Sequence, residues 1–208
     1  ILTFSEAVDI ENGNITLKKS SDDSTIETID VTSGQVTGTG TTEITINPTD
    51  DLLADGIEYY VLIDETAFDD AAGNSYAGIS DATTLSFTTV DTTAPTLISS
   101  TPADEATDVA VDSDIVLTFS ENVDIESGTI DIKMGSSLIE SIDVTSGLVT
   151  GTGTTEITIN PTADLSNNST IYLIIDGDAF DDAAGNSYTG ISADTILNFQ
   201  TEPDTCLL

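Results

Sequence analysis

Most of this chain is written twice. Leu2-Thr3-Phe4-Ser5-Glu6 returns as Leu117-Thr118-Phe119-Ser120-Glu121, and one residue later both copies continue Val-Asp-Ile-Glu. Ile29 to Leu52 repeats as Ile142 to Leu165, with changes only at Gln35/Leu148 and Asp50/Ala163. Ala67-Phe68-Asp69-Asp70-Ala71-Ala72-Gly73-Asn74 returns unchanged as Ala179 to Asn186. The pairs Leu2/Leu117, Ile29/Ile142 and Ala67/Ala179 stand 115, 113 and 112 residues apart, so the small deletions fall in predicted loops. A unit of roughly 110 residues has the size of a domain, not of a solenoid module. The chain is therefore expected to fold as two similar domains.

Within each copy, short alternating runs rich in Val, Ile and Thr are separated by Gly, Asp and Asn, and no helical period stands out. Copy one predicts strands over 1–4, 14–18, 25–31, 43–47, 58–63 and 83–89. Copy two predicts them over 114–119, 129–133, 138–144, 156–160, 170–175 and 195–200. A further leading strand is expected over 96–100, ahead of a Pro102-Ala103-Asp104 turn, and copy one has no counterpart of it. The runs Tyr59–Ile63 and Ile171–Ile175 suit strands buried in a sandwich. Asp91-Thr92-Thr93-Ala94-Pro95 reads as a short, stiff linker. The expected organisation is a first domain over 1–90, the linker over 91–95, a second domain over 96–202 and a tail over 203–208.

Charge narrows the function classes. There are 38 acidic residues against Lys18, Lys19 and Lys133, giving a net charge of −35. Such a surface repels phosphate backbones and anionic lipid, so no nucleic-acid partner and no membrane insertion are expected. Self-repulsion of that size calls for compensating cations, either divalent ions at specific sites or a saline medium around a solvated surface. With no histidine, and a single cysteine at Cys206, neither a Ser/His nor a Cys/His nucleophile system can be assembled. Tryptophan is absent and aromatics are sparse, which argues against a glycosidase cleft. The chain is expected not to be an enzyme. Cys206 has no partner for an intrachain disulfide, and Ile1 reads as the interior of a strand, so a fragment of a longer chain is expected.

The stretch Ser100-Thr101-Pro102-Ala103-Asp104, Val109, Asp114 to Glu121, Asn160-Pro161, Asp182-Ala183-Ala184-Gly185-Asn186 and Phe199-Gln200-Thr201 resembles the bacterial immunoglobulin-like domains, repeated in large secreted adhesins and surface-layer proteins. The linker likewise resembles the junctions between such repeats. The resemblance covers essentially the whole chain. It implies an all-β fold of two tandem Ig-like Greek-key β-sandwiches, the first lacking its N-terminal strand. It also implies an extracellular, cell-surface location, a spacer or adhesive role, and calcium near domain junctions. Neighbouring Ig-like repeats of the same or an adjacent chain are the implied partners. An adhesin module that contacts a surface glycan or protein is the alternative, as is a subunit of a donor-strand-assembled filament. Relative to Asp91–Ile115, copy one lacks about 25 residues. Truncation is the expected explanation, and a strand supplied by a neighbouring molecule the alternative.

Calcium takes six to eight oxygens from carboxylates, carbonyls, amides and water. In an Ig-like topology, the start of the first strand shares one end with the loops after the second and sixth strands. That places Asp91 near Glu121 and Asp124 from one loop, and near Asp176, Asp181, Asp182 and Asn186 from another. A Ca2+ ion held there would stiffen the junction. The copy-one equivalents are Glu6, Asp9, Asp64, Asp69, Asp70 and Asn74. The competing reading is that Asp-Asp and Gly-Asn only build turns. Lys18 and Lys133 occupy equivalent strand positions; an isopeptide crosslink is conceivable there, but an exposed ion pair is the stronger reading. Tyr76 and Tyr188 could present aromatic surface to a ligand, or cover the sandwich edge.

Overall fold

The structure, a computed structural model, describes residues 1–49, 51–53 and 55–204. Cys206 and most of the predicted tail lie outside the described residues. The described chain is all β, in two compact units. No helix among the described residues is long and apolar enough to cross a membrane.

The first unit contains β1 (Leu2–Ile10), β2 (Asn14–Lys19), β3 (Thr25–Asp30), β4 (Val36–Thr37), β5 (Thr41–Ile46), β6 (Glu58–Ile63), β7 (Phe68–Asp70) and β8 (Ser86–Thr88). They form two sheets, β4-β5-β1-β7 and β3-β2-β6-β8. The chain changes sheet after β1, β3, β5, β6 and β7, which is the Greek-key path of an Ig-like sandwich. The second unit opens with β9 (Leu97–Thr101) and β10 (Ala106–Val109). It then repeats the pattern with β11 (Ile115–Ile125), β12 (Thr129–Met134), β13 (Ser137–Asp143), β14 (Val149–Thr150), β15 (Thr154–Ile159), β16 (Thr170–Ile175), β17 (Phe180–Asp181) and β18 (Asn198–Thr201). Its sheets are β14-β15-β11-β17, with β9 also on β11, and β10-β18-β16-β12-β13.

The cores follow from strand alternation. In β11, Ile115, Leu117 and Phe119 point inward and are buried, as are Ile130 and Ile132 of β12 and Ile171, Leu173 and Ile175 of β16. Each such side chain contributes roughly 1.5–3 kcal/mol through burial. The first unit packs Ile15, Ile29, Ile44, Ile63 and Phe68 in the same way. The turn before β5 and β15 needs glycine. At Gly38 (φ +110°) and Gly151 (φ +112°) a Cβ would lie 2.1 Å from the carbonyl oxygen of Glu43 or Glu156.

Several strands differ from the expected ones. β1 and β11 do not end at Phe4 and Phe119 but run on to Ile10 and Ile125. The Ser-Glu-x interruption of the alternation is a bulge rather than a strand end. Thr118 faces Glu156 and Val123 faces Thr154, five residues along β11 against two along β15. Glu121 and Asp124, expected in a loop, are therefore on a strand. β7, β17 and β10 were not expected either: their polar Asp and Thr positions hide short pairings.

Candidate metal centre

The repeated Ala-Phe-Asp-Asp-Ala-Ala-Gly-Asn stretch is anchored from below. Ala179 and Phe180 are fully buried, and Phe119 meets Phe180 and Tyr188 edge-on at ring distances of 5.4 and 5.2 Å. Above this base the chain turns back on itself. The Asp182 N–H donates to the Asn186 carbonyl at 3.1 Å, and the Gly185 N–H to the Asp182 carbonyl at 3.1 Å. Gly185 sits at φ +87°, in the left-handed region that glycine reaches without a Cβ clash.

Asp182 organises the turn. One carboxylate oxygen accepts the backbone N–H groups of Ala184 and Asn186, both at 2.8 Å, and the other accepts Asn186 Nδ2 at 2.7 Å. The residue is only 5% exposed. Burial alone would push its carboxyl up, but hydrogen bonds from the Asn186 side chain and backbone, and from Ala184 and Gly185, outweigh it and hold the group below the ordinary range. Asp70 in the first unit makes the same three bonds, at 2.8, 2.8 and 2.7 Å, to Ala72, Asn74 and Asn74 Nδ2. Its carboxyl is held low first by the Asn74 side chain. The Asn74 and Asn186 side-chain amides brace the turn with their N–H groups, which leaves the ligand role of their oxygens open to test.

The other candidate residues separate into two sets. Asp176 accepts the Thr129 N–H at 2.8 Å and its hydroxyl at 3.1 Å, and Asp124 accepts the Thr152 hydroxyl at 2.9 Å. Asp64 accepts the Asn14 N–H at 2.8 Å and Asp9 the Thr39 hydroxyl at 3.1 Å, the same braces in the first unit. In contrast, carboxylate oxygens of Glu121 and Asp182, both in the second unit, lie within 4.8 Å of each other. Glu121 reaches this place because it rides on the β11 bulge. Asp181, on β17 and next in sequence to Asp182, pairs with Asp124 in register, and its Oδ1 is buried with no hydrogen-bond partner among the described residues. In the first unit one groove brings together Glu6, Asp69, Asp70 and Asn74.

Oxygens around one calcium ion, each about 2.4 Å from it, stand at most about 5 Å apart, so the carboxylate spacing fits such an ion. Like-charged carboxylates at such a spacing repel one another, and a bound cation would offset that repulsion.

Two other sequence candidates have structural roles. The Lys18 ammonium pairs with Asp23 at 3.1 Å, while the Tyr60 hydroxyl donates to the same carboxylate. The Asp23 hydrogen bond raises the Lys18 pKa, which keeps the amine protonated and non-nucleophilic. Asp23 was not singled out in the sequence, since only the β2–β3 hairpin brings it alongside. Tyr188 is buried against Phe119 and covers the core.

Comparison with known proteins bears on the fold. No curated protein matches the chain. Among solved structures, a biofilm-associated protein BSP domain is similar at 13% identity and a TM-score of 0.28, over 99% of this chain and 29% of that one. The present chain thus spans less than a third of that protein chain. A family model, the bacterial Ig-like domain, matches twice, over residues 1–89 and 91–201. Glu121 and Asp182 both fall within the second match. Two sandwiches of the same Greek-key path, each covered by a match, show that the chain belongs to the bacterial Ig-like domain family.

Proposed function

We propose that the chain is a non-catalytic pair of repeats from a bacterial extracellular surface protein, with a spacer role, and that calcium stiffens it. The observation that carries the calcium reading is the Glu121–Asp182 pair of the second unit, whose carboxylate oxygens lie within 4.8 Å of each other. Asp182 is already fixed and anionic, which lowers the ordering cost of binding an ion. Its neighbour Asp181 carries a buried, unbonded oxygen, an orphan that a cation or its water would satisfy. All these donors are oxygen, the ligand chemistry of calcium rather than of softer metals. Asp91 is the further ligand that the segment leading into the second copy would add.

The reading is tested by melting the chain at one fixed high ionic strength with calcium, with magnesium and with chelator. Extracellular calcium modules bind with Kd values of roughly 0.1–1 mM. At about 10 mM calcium, linkage then stabilises by about 1.4–2.7 kcal/mol, a Tm rise on the order of 5–15 °C. The double variant Asp91→Asn, Glu121→Gln is expected to lose most of that rise. Equal Tm values with every cation would mean the carboxylates need only screening, and the calcium reading would fail.

A further inference from the structure

In the second unit the first and last strands of one sheet are neighbours. β10, which opens the β10-β18-β16-β12-β13 sheet in chain order, lies parallel to β18, which closes it, with Ala106 opposite Phe199 and Val109 opposite Thr201. Parallel pairing puts the upstream end of β10 and the downstream end of β18 at opposite ends of the pair. Tension along the chain therefore draws the two strands past each other. Bonds loaded in this way share the force and yield together, whereas a strand lifted from one end loses them one at a time.

The pair is fastened at both ends. Upstream, one Asp104 carboxylate oxygen accepts the Asn198 N–H and the Asn198 side-chain amide, both at 3.0 Å, and the Glu105 N–H donates to the Asn198 carbonyl at 2.7 Å. Bonds to a carboxylate are the stronger kind. Downstream, the Glu202 N–H donates to the Val109 carbonyl at 2.8 Å, and the Thr201 hydroxyl donates to the Ser166 carbonyl at 2.6 Å. Between these ends Ala106 and Val109 pack against the core, and Phe199 is buried. β9 belongs to the other sheet, on β11, so its release would leave the β10–β18 pair closed.

We infer that β10 and β18 form a shear clamp, which makes the second unit a load-bearing module. Tension between the segment entering at Thr93 and the segment leaving after Thr201 is carried by this pair, and Asp104 is its latch. The clamp has a direction. β12 and β18 are both antiparallel to β16, so they run parallel to each other, and Met134, Ile171 and Phe199 stand in one row across the sheet. The turn of the β12–β13 hairpin thus lies at the same end of the sheet as the downstream end of β18. Tension between those two points would peel β18 from its end rather than shear it. The inference stands on strand direction and depends neither on calcium nor on a surface location.

The test pulls the 208-residue chain, in chelator, through two thiol handles: the native Cys206 together with either Thr93→Cys or Ser136→Cys. Thr93 and Ser136 are both exposed, so neither change disturbs the core. The same unit is then loaded in shear by the first pair of handles and in peeling by the second. Forced rupture reads the barrier to unfolding, and a force at least about twofold higher is expected in shear. That event should lengthen the chain by roughly 350 Å, as residues 104–202 straighten at about 3.6 Å each. Adding Asp104→Ala should lower the shear force by about a quarter or more and leave the peeling force unchanged. Equal forces in the two directions would overturn the inference, as would an Asp104→Ala loss of the same size in both. The comparison of directions needs no change at Asp104, so it decides the inference whatever that variant does to stability.

Discussion

Phe4 and Phe119 occupy the same place in the two copies, and truncating each to alanine should cost different amounts. Their aromatic surroundings are nearly the same. Phe119 meets Phe180 and Tyr188 at 5.4 and 5.2 Å, and Phe4 meets Phe68 and Tyr76 at 5.4 and 5.3 Å. The difference is the strand on top: Leu97 of β9 faces Phe119, which is 2% exposed, whereas Phe4 is only partly buried. Deleting a fully buried phenylalanine leaves a cavity and costs about 3–5 kcal/mol, so Phe119→Ala is expected to cost about 4 kcal/mol. For Phe4→Ala the lost transfer energy is smaller and solvent fills the gap, which gives about 2 kcal/mol. Because the flanking sequence is repeated, unfolded-state effects nearly cancel in the comparison. Hydrogen exchange along a urea series reads each unit through its own peptides. Equal losses in the two units would refute the reasoning, by showing that β9 is not what seals Phe119.

Three further outcomes follow from the turns and carboxylates. Without calcium, Asp182→Ala should destabilise the second unit by about 2–3 kcal/mol, since two backbone N–H groups and the Asn186 amide lose their acceptor; a loss under 0.5 kcal/mol in urea melts would contradict this. Gly151→Ala places a Cβ 2.1 Å from the Glu156 carbonyl at φ +112° and should cost more than about 2 kcal/mol, whereas Gly147→Ala, with nothing within 4 Å, should stay within about 1 kcal/mol. The Asp30, Asp70, Asp81 and Asp143 carboxyls are held below their ordinary value of 3.8, chiefly by hydrogen bonds from Thr32, Asn74, Thr84 and Thr145 side chains. Their folded pKa values are depressed, so their stabilisation is present above pH 3.8 and is lost as pH falls through the lower folded values. At high salt, which screens the general repulsion, Tm should hold from pH 8 to about 5 and fall below about 4. A Tm that climbs steadily to pH 2.5 would show that repulsion dominates even when screened.

The sandwich was legible because its signals are local: alternation in Thr-Glu-Ile-Thr-Ile, apolar runs at Tyr59–Ile63 and Ile171–Ile175, and glycine where the backbone requires it. Where the prediction stopped short, the alternation was broken for a tertiary reason. Ser5-Glu6-Ala7 and Ser120-Glu121-Asn122 read as loops, yet the ladder to β5 and β15 resumes beyond them, because the partner strand holds the chain across the bulge. The site was legible in part. The order of strands was enough to set Glu121 near Asp182, although Glu121 sits on the β11 bulge rather than in the expected loop. That Asp124 and Asp176 brace Thr152 and Thr129 depends on side-chain register, which residue types do not encode.

The duplicated octapeptide separates what a motif does from what its setting does. Both copies build the same turn, with hydrogen bonds of 2.8, 2.8 and 2.7 Å around Asp70 and around Asp182. In the sequence, Asp91 stands in the segment ahead of the second copy, and Asp182 is the more deeply buried of the two aspartates. If that leading carboxylate is a ligand, the 208-residue chain should bind one calcium ion much more tightly than any second one. Losing one of three charged ligands removes a charge-assisted contact worth roughly 1.5–3 kcal/mol, a difference of about tenfold or more in Kd. Titration calorimetry reads this as one strong site, which Asp91→Asn should bring down to the level of the first unit. Two equal sites that ignore the Asp91 change would mean that the octapeptide, with Glu6 or Glu121, is the whole site, and Asp91 would be only a charged residue of the segment entering the repeat.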